Sequence, residues 1–474
     1  MAALGFLDRD RTLAGPGFNR WLVPPAALAV HLCIGQVYAL SVFSIPFSRL
    51  LGISHSAPGD WSFPLSTQVF NVAIFMLGMS AALFGAWLER AGPRRAMFYS
   101  ALCFGGGFFI AAFGIHLHQV LLTIFGYGVV GGIGLGLGYI SPVSTLIKWF
   151  PDRPGMATGM AIMGFGGGAL IGSPLAVTLM DHFRRTGDAG VAPTFLVMGA
   201  VYLALMLFGC FLVRVPPPDY QPAGYVPAKA GTAHAAGANV DAAHAVKTPQ
   251  FWLLWGVLFL NVTAGFGVLA TASPMIQEMF PGVISAQAAS GFVGLLSLFN
   301  LVGRFSWSSL SDRVGRKGTY AVYFALGAVL YALIPTFGHL HNVALFVLTF
   351  GIILSMYGGG FATMPAYLRD LFGTLQVGAI HGRVLTAWSL AAIAGPNLVT
   401  FIRQFQIEHG VAKADAYSTT LYVMAGLLAL GFFCNLLVKP VDVKFHNASL
   451  QAGEGKAPSR EPTAGQSPRH SSPA

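Results

Sequence analysis

The sequence predicts an all-α membrane protein with twelve transmembrane helices arranged as two pseudo-symmetric six-helix bundles. Three observations support this fold class. Hydrophobic residues make up 55% of the 474 residues and charged residues only 9%, too few to cover the surface of a soluble chain. Apolar runs of helical membrane-crossing length recur along the whole chain. Polar loops of similar sequence lie at matching places in the two halves, which is typical of duplicated membrane bundles.

The predicted spans divide evenly around a polar segment in the middle of the chain. The first six cover approximately 21–50, 64–89, 96–116, 119–147, 155–180 and 193–213. The second six cover approximately 250–277, 287–310, 318–338, 343–367, 379–404 and 416–438. Each is mostly apolar, so each is expected to cross the membrane once.

The polar segments complete the domain organisation. The N-terminal stretch is charged from Asp8 to Arg11 and has no apolar core, so no cleaved signal peptide is expected. The middle segment is rich in Ala, Gly and Pro and is predicted to be flexible, and the Ser/Pro/Gly-rich tail is predicted to be disordered. The predicted parts are an N-terminal segment (1–20), an N-terminal bundle (21–214), a linker (215–249), a C-terminal bundle (250–440) and a tail (441–474).

Lysine and arginine are distributed unevenly between the two sides of the predicted spans. With both termini in the cytoplasm, the outward segments hold only Arg49, Arg184, Arg185, Arg403 and Lys413. This asymmetry predicts a bacterial inner-membrane protein whose N- and C-termini are cytoplasmic. The net charge of +10 is spread over many short loops, so it reflects topology and gives no indication of nucleic-acid binding.

Arg304 is a formally charged residue well inside a predicted span. It lies eight residues before Asp312, which places it roughly 12 Å below the membrane surface at 1.5 Å per residue. Holding an arginine there costs at least about 2.5–3.5 kcal/mol. The matching position in the first half, eight residues before Glu89, is Ala81, so the span itself does not need the charge. No acidic residue lies mid-membrane, so we predict that Arg304 binds an anion; a structural hydrogen-bonding role is the alternative.

The loops after the second and eighth spans share one pattern: a small residue, three others, an acid, Arg, any residue, Gly and then basic residues. The first copy is Gly85–Arg95 and the second is Ser308–Lys317. Such acids and arginines can bridge neighbouring helix ends and stabilise one conformation of the two bundles. The predicted gating residues are Glu89, Arg90, Arg94, Asp312, Arg313 and Arg316.

Two such loops around a central linker resemble the signature of the major facilitator superfamily, over about residues 20–440. Three further segments resemble the oxalate/formate antiporter family and the related monocarboxylate transporters: Lys148–Gly159, Thr248–Trp252 and Asn300–Arg304. The resemblance implies a transporter with a central cavity and an alternating-access cycle. In those relatives the arginine at this position binds the substrate carboxylate, which implies that role for Arg304 and a supporting role for Asn300.

The eleventh span distinguishes between substrates. Oxalate-binding relatives carry a lysine after Thr-Ala in this span, whereas here Trp388 follows Thr386 and Ala387. One fixed cation matches one carboxylate, so the resemblance implies a small monocarboxylate such as lactate, pyruvate or formate. An oxalate/formate antiporter is the alternative, and a carboxylate sensor with a transporter fold is an alternative of another class.

Aromatic residues are expected to form the walls of the pocket, because a tyrosine offers an apolar surface with one hydrogen-bonding end. Each of these residues also suits ordinary helix packing. The candidates are Tyr38, Tyr139, Tyr357, Phe361 and Trp388. His31, taken as the only histidine deep in a span, is a candidate for proton coupling, with a hydrogen-bonded structural role as the alternative.

The remaining expectations concern partners and chemistry. The sequence contains no nucleophile–base pair and no metal-ligand cluster, so we expect no enzyme activity, no metal and no cofactor. The expected partners are membrane lipid, a small organic anion, and protons or a counter-anion, and a monomer is expected. Proton symport and anion exchange both remain open.

Overall fold

The computed structural model describes residues 2–52, 56–61, 63–185, 188–218, 220–222, 224–225 and 239–446. Twelve long helical segments follow one another within these ranges, and they confirm the predicted all-α fold. The first six are α1 (Val23–Ile34, continued by Gly35–Phe43 and Ser44–Phe47), α2 (Phe63–Ala91), α3 (Pro93–His116), α4 (Val120–Trp149), α5 (Pro154–Phe183) and α6 (Val191–Leu212). The second six are α7 (Pro249–Met279), α8 (Ala286–Val314), α9 (Arg316–His339), α10 (Val343–Phe372), α11 (Val377–Glu408) and α12 (Ser418–Leu437).

Eleven of these helices, among the described residues, are long and apolar enough to cross a membrane. The remaining one is α8, a 29-residue helix that carries Asn300 and Arg304 and occupies the place of the predicted eighth span. The greater part of the predicted tail, 447–474, and residues 226–238 of the linker lie outside the described residues.

The two halves repeat one packing plan. In the first half α2 packs on α4, α3 on α6, and α1 on both α5 and α6. The second half has the matching pairs α8 with α10, α9 with α12, and α7 with both α11 and α12. The glycines of the two repeated loops, Gly92 and Gly315, both have a φ of 88°, which L side chains rarely adopt, so each loop turns tightly from one helix into the next.

The described N-terminal segment and the described ends of the linker lie on one face of the bundle, here called the linker face. Leu13 pairs with Val215, and the guanidinium of Arg94 donates to the carbonyls of Phe6 and Val213. The described end of the linker is packed as well, because the Val240 amide donates to the Phe372 carbonyl. The segments flanking the linker are therefore anchored to the helices on this face.

Two helix pairs make the most extensive contacts between the halves, α5 with α8 and α2 with α11, and α5 also contacts α10. Near the linker face the Thr158 hydroxyl donates to the Ala362 carbonyl over 2.7 Å, and Arg369 donates to the Pro151 carbonyl over 3.1 Å. Towards the opposite face, a methyl group added at Gly294 of α8 would meet no atom within 4 Å. Contacts between the halves are thus present near the linker face, and in the α2–α11 pair they continue to the Ser389 hydroxyl, which donates to the Ile74 carbonyl over 3.1 Å.

Candidate functional site

Arg304 lies at the centre of the molecule, on the side of α8 that faces the other half. Its side chain is fully buried, and its Nε donates to the Asn300 Oδ1 over 2.9 Å, one helical turn away. By hydrogen-bond geometry its two terminal nitrogens, Nη1 and Nη2, have no partner within the described part of the chain, while the hydroxyls of Tyr38 and Tyr139 lie close enough to interact with the guanidinium. A buried guanidinium with two free donors is costly unless something accepts from them, so this geometry favours an anionic ligand.

Two glycines make room for this arginine. A methyl group at Gly166 of α5 would lie 3.2 Å from the Arg304 Nε. A methyl group at Gly358 of α10 would lie 2.3 Å from the Asn300 carbonyl oxygen and 3.1 Å from the Arg304 Cγ. The close approach of α5 and α10 to α8 thus depends on glycine at both positions.

Aromatic rings flank the guanidinium on two sides. Its carbon lies 5.7 Å from the ring centre of Phe165 in α5 and 5.2 Å from that of Phe361 in α10. Phe165 was not among the predicted wall residues, because a phenylalanine in an apolar span carries no signal in the sequence. Both distances are within the range of cation–π attraction, which helps to hold the positive charge between the halves.

The predicted wall residues converge on Arg304 from four helices. The hydroxyls of Tyr38, Tyr139 and Tyr357 and the Nε1 of Trp388 are buried. Among the described residues none of these atoms makes a hydrogen bond of ordinary geometry, although the Tyr38 and Tyr357 hydroxyls lie close to each other. All three tyrosines lie near enough to experience the charge of Arg304. The Trp388 ring is 4.6 Å from Phe361 and 5.2 Å from Tyr139. The site therefore consists of tyrosine hydroxyls and an indole N–H group around one cation, and aromatic rings enclose it.

His31 is not the only buried histidine among the described residues. His31 is buried in α1, and His381 in α11 is buried too, with 2% of its surface exposed. The Tyr139 ring lies next to both, 5.5 Å from His31 and 5.9 Å from His381. His381 was overlooked because it is only the third residue of the predicted span 379–404.

The two predicted gating acids each contact the opposite half. The carboxylate of Asp312 accepts from the backbone amides of Gly155 and Met156, both over 2.8 Å, at the start of α5. The carboxylate of Glu89 accepts from the amide of Gly378, over 3.0 Å, at the start of α11. A negative charge at the N-terminal end of a helix is favourable, so each acid joins the halves on the linker face.

The predicted gating arginines have different surroundings. Arg316 is paired with Asp312 over 2.6 Å and with Asp370 over 3.1 Å. Arg94 donates to backbone carbonyls of its own half, and Arg90 and Arg313 are exposed. Lys148, which was not predicted, is the basic partner of Glu89 at 2.6 Å.

A separate cavity of about 150 Å³ lies in the second half, between α7, α9 and α12. Met279, Pro335, His339 and Asp415 are among its lining residues. It contains none of the central polar atoms described above. It therefore offers no alternative to the site around Arg304.

Comparisons with known proteins agree with this architecture. The sequence matches the family model described as Major Facilitator Superfamily, over residues 26–396 and 284–470. The oxalate:formate antiporter of Oxalobacter formigenes is 28% identical over 382 residues, covering 80% of this chain and 84% of that protein. Apicoplast pyruvate carrier 1 of Toxoplasma gondii is 24% identical over 504 residues, covering 89% of this chain and 90% of that protein. The crystal structure of the transporter FucP in the outward conformation superimposes with a TM-score of 0.62 at 13% identity, covering 88% of this chain and 99% of FucP.

Proposed function

Because this chain belongs to the major facilitator superfamily, we propose that it is a secondary transporter of a small monocarboxylate. Lactate, pyruvate and formate represent the substrate class. The carboxylate binds Arg304 midway across the membrane and reaches each side in turn by alternating access. Both termini lie in the cytoplasm of a bacterium, in agreement with the distribution of lysine and arginine.

One observation carries this proposal: the two free terminal nitrogens of the buried Arg304. Because a guanidinium presents two parallel donors, it can hold both oxygens of one carboxylate. The acids that contact the opposite half, Glu89 and Asp312, are already bonded at the linker face, so a bound solute supplies the negative charge at the centre.

The surroundings of Arg304 favour a single carboxylate. Phe165 and Phe361 flank the guanidinium, and Trp388 packs against both rings. This apolar ring surface suits a methyl or similar group and disfavours a second negative charge. The similarity to the oxalate:formate antiporter supports the second candidate, exchange of oxalate and formate. The presence of Trp388 in place of a lysine argues against that candidate.

The gating residues fit the transport cycle. Release of Glu89 from Gly378, and of Asp312 from Gly155 and Met156, lets the linker face open while the bundles rock about the central site. Arg316 then stays with Asp370 of its own half. The contacts re-form when the substrate faces the other side.

Uptake of radiolabelled lactate, pyruvate, formate and oxalate into proteoliposomes tests this function. We expect monocarboxylate uptake by the wild type and its loss in Arg304→Ala, because the variant has no cation at the centre. Arg304→Lys keeps the charge without the planar fork, so it should retain only a small part of the uptake.

Arg185→Ala is the matched control, because Arg185 is an exposed arginine far from the centre. It should transport like the wild type. Uptake that does not depend on Arg304 would contradict the assigned site. If the protein bound oxalate at least as tightly as every monocarboxylate tested, the second candidate, exchange of oxalate and formate, would be favoured.

A further inference from the structure

Two short loops on the linker face lead to the backbone amides that the gating acids bind. The α4–α5 loop precedes Gly155 and Met156, whose amides donate to Asp312. The α10–α11 loop precedes Gly378, whose amide donates to Glu89. The first amides of a helix have no partner within the helix, so they depend on other groups for a hydrogen bond. The position of each loop therefore decides whether the acid of the other half can reach its amides.

The first end of the linker packs on the α4–α5 loop. Trp149, the last residue of α4, is 1% exposed, and its Nε1 donates to the carbonyl of Arg214, directly before the linker, over 2.8 Å. The Tyr220 ring lies 4.7 Å from the Trp149 ring. Arg20 holds the same loop through two hydrogen bonds to the Asp152 carboxylate, over 2.7 and 3.0 Å. This end of the linker is therefore part of the support of the loop that leads to α5.

The second end of the linker packs on the α10–α11 loop, in the other half. Asn239 is 4% exposed, and its Oδ1 accepts from the Leu375 amide over 3.2 Å. The Ala242 amide donates to the Gln376 Oε1 over 2.9 Å. Leu375 and Gln376 are the last two residues before α11. These two hydrogen bonds therefore hold the chain within three residues of Gly378, the residue that Glu89 binds.

The two supported loops meet where the halves join. Arg369, near the end of α10, donates to the carbonyl of Pro151 in the α4–α5 loop over 3.1 Å. The linker connects the halves covalently, and each of its ends packs on one side of this contact. The same segment of chain thus supports both of the loops on which closure of the linker face depends.

We propose that the linker is a clamp on the linker face: its ends position the two loops so that Asp312 and Glu89 bind amides across the halves. Tyr220 and Asn239 are the positioning residues, one at each end. A loop that is already ordered loses less conformational freedom when an acid binds its amides, so the clamp favours the closed linker face. The inference goes beyond the proposed function, because it needs the alternation of the halves and no particular substrate.

Hydrogen–deuterium exchange of the full-length protein in lipid nanodiscs, measured by mass spectrometry, tests the inference without any substrate. The readout is the exchange rate of the first amides of α5 and of α11. Asn239→Ala loses one hydrogen bond, so exchange should become about fivefold faster, the factor that corresponds to one ordinary hydrogen bond. Tyr220→Ala removes the ring that packs on Trp149, and an effect of the same order is expected.

Each variant should accelerate exchange at both helices, the near one and the far one. Asp312 and Glu89 close the same face, so one opening motion releases the amides of α5 and α11 together. A loop that merely becomes looser in its own half would expose only the helix that follows it. The comparison of the two helices therefore separates opening of the face from local loosening.

Conservative variants and exposed neighbours supply the controls. Asn239→Asp keeps an oxygen that accepts from the Leu375 amide, and Tyr220→Phe keeps the ring, so both should exchange like the wild type. Gln221→Ala and His244→Ala change exposed side chains beside the two ends and should also have no effect. The two ends are tested separately, so if one alanine variant does not fold, the other still decides.

The outcomes separate this inference from the proposed function. Faster exchange confined to the helix next to the altered end would overturn the clamp, and so would unchanged exchange in the folded alanine variants. Uptake of lactate, pyruvate and formate by the wild type is measured on the same preparation. If the wild type took up none of them while exchange rose at both helices in the variants, the proposed function would fail and the clamp would stand.

Discussion

The two helix pairs that join the halves, α5 with α8 and α2 with α11, have the same design at the linker face and differ at the centre. In both pairs an acid at the end of one helix accepts from backbone amides at the start of the other. In both pairs glycines allow close contact: a methyl group at Gly159 would lie 2.1 Å from the Ser308 Oγ, and one at Gly85 would lie 2.7 Å from the Ala379 Cα.

The two helix pairs differ farther from the linker face, at the level of Arg304. Eight residues before Asp312, α8 carries Arg304, whereas eight residues before Glu89, α2 carries Ala81. Ala81 is fully buried and packs so closely that a methyl group at Gly382 would lie 2.1 Å from its carbonyl oxygen. One pair is therefore closed by backbone contact at a level where the other holds a cation with free donors. The shared features serve packing and gating, and the arginine is the added functional element.

The largest expected effect comes from filling the space that a glycine leaves beside Asn300 and Arg304. We expect Gly358→Ala to abolish transport, because its new methyl group would lie 2.3 Å from the Asn300 carbonyl, which is backbone and cannot move aside. Overpacking of this kind costs about 1–3 kcal/mol and would displace Asn300 and Arg304 from their bonded geometry. Pyruvate uptake in proteoliposomes and thermal unfolding in detergent measure the two effects.

Gly294→Ala is the matched control on the same helix as Arg304. A methyl group there meets nothing within 4 Å, so this variant should keep both transport and stability. Equal losses in the two variants would mean that α8 is sensitive to any added methyl group. Gly358 would then have no special part in shaping the site.

The second prediction concerns the difference in charge between the two helix pairs, and it places a second cation on α11. Trp388 belongs to α11, the helix that pairs with α2, which carries Ala81 and no charge at the level of Arg304, and it is fully buried beside Phe361 and Tyr139. In Trp388→Lys a second cation would face the site, so the affinity for oxalate relative to pyruvate should rise at least about tenfold, equal to 1.4 kcal/mol. Competition of unlabelled oxalate against labelled pyruvate measures this ratio.

Trp388→Phe is the control for loss of the indole without added charge. It should leave the preference for the monocarboxylate in place. A preference for oxalate that appeared in both variants would assign selectivity to the size of Trp388 and not to charge.

The third prediction compares the two acids. Asp312 accepts two amides from the opposite half and Glu89 accepts one, so Asp312→Asn should open the linker face more than Glu89→Gln. Hydrogen bonds to charged groups contribute about 1.5–3 kcal/mol each, so either change is large enough to shift the population of conformations. Spin labels at the exposed positions Arg153 and Lys247, one in each half, report the distance across this face.

A longer distance in Asp312→Asn, and a smaller change in Glu89→Gln, is the expected order. Glu408→Gln, at an exposed acid of α11, should leave the distance unchanged. The reverse order would mean that the single amide of Gly378, bound by Glu89, contributes more to closure than the two amides that Asp312 binds.

The sequence predicted the fold and Arg304 because both leave a local signal. Apolar runs of membrane-crossing length indicate helices one at a time, and a single arginine inside such a run is conspicuous. The wall residues Tyr139 and Trp388 were predicted through the family resemblance. The structure brings them to within 5.2 Å of each other.

Other features depend on contacts between distant segments, which one sequence does not contain. The partners of Asp312 and Glu89 in the opposite half are backbone amides, and an amide has no residue type to recognise. The roles of Gly166 and Gly358 follow from how closely α5 and α10 approach α8. His381 lies next to Tyr139, which also contacts His31, 350 positions away from His381 in the chain.

The smallest expected effect concerns the opposite face, where the halves again differ. In the second half Arg403 pairs with Glu278 at 2.5 Å, whereas in the first half Asp60 accepts from the amides of Leu51 and Ala57. Partial desolvation raises the pKa of Asp60, but these amides outweigh it and hold the pKa below its ordinary value. A lowered pKa stabilises the fold at neutral pH, and this contribution disappears as the pH falls through that pKa.

Asp60→Asn should therefore lower the melting temperature slightly at pH 7, by an amount equivalent to at most about 1 kcal/mol for an exposed carboxylate. The difference from the wild type should shrink as the pH falls below about 4, where the unfolded chain already protonates its aspartates. Thermal unfolding of both proteins in detergent across this range measures it. A difference that stayed constant with pH would assign the effect to lost hydrogen-bond geometry, and the charge of Asp60 would then have no part in holding this loop.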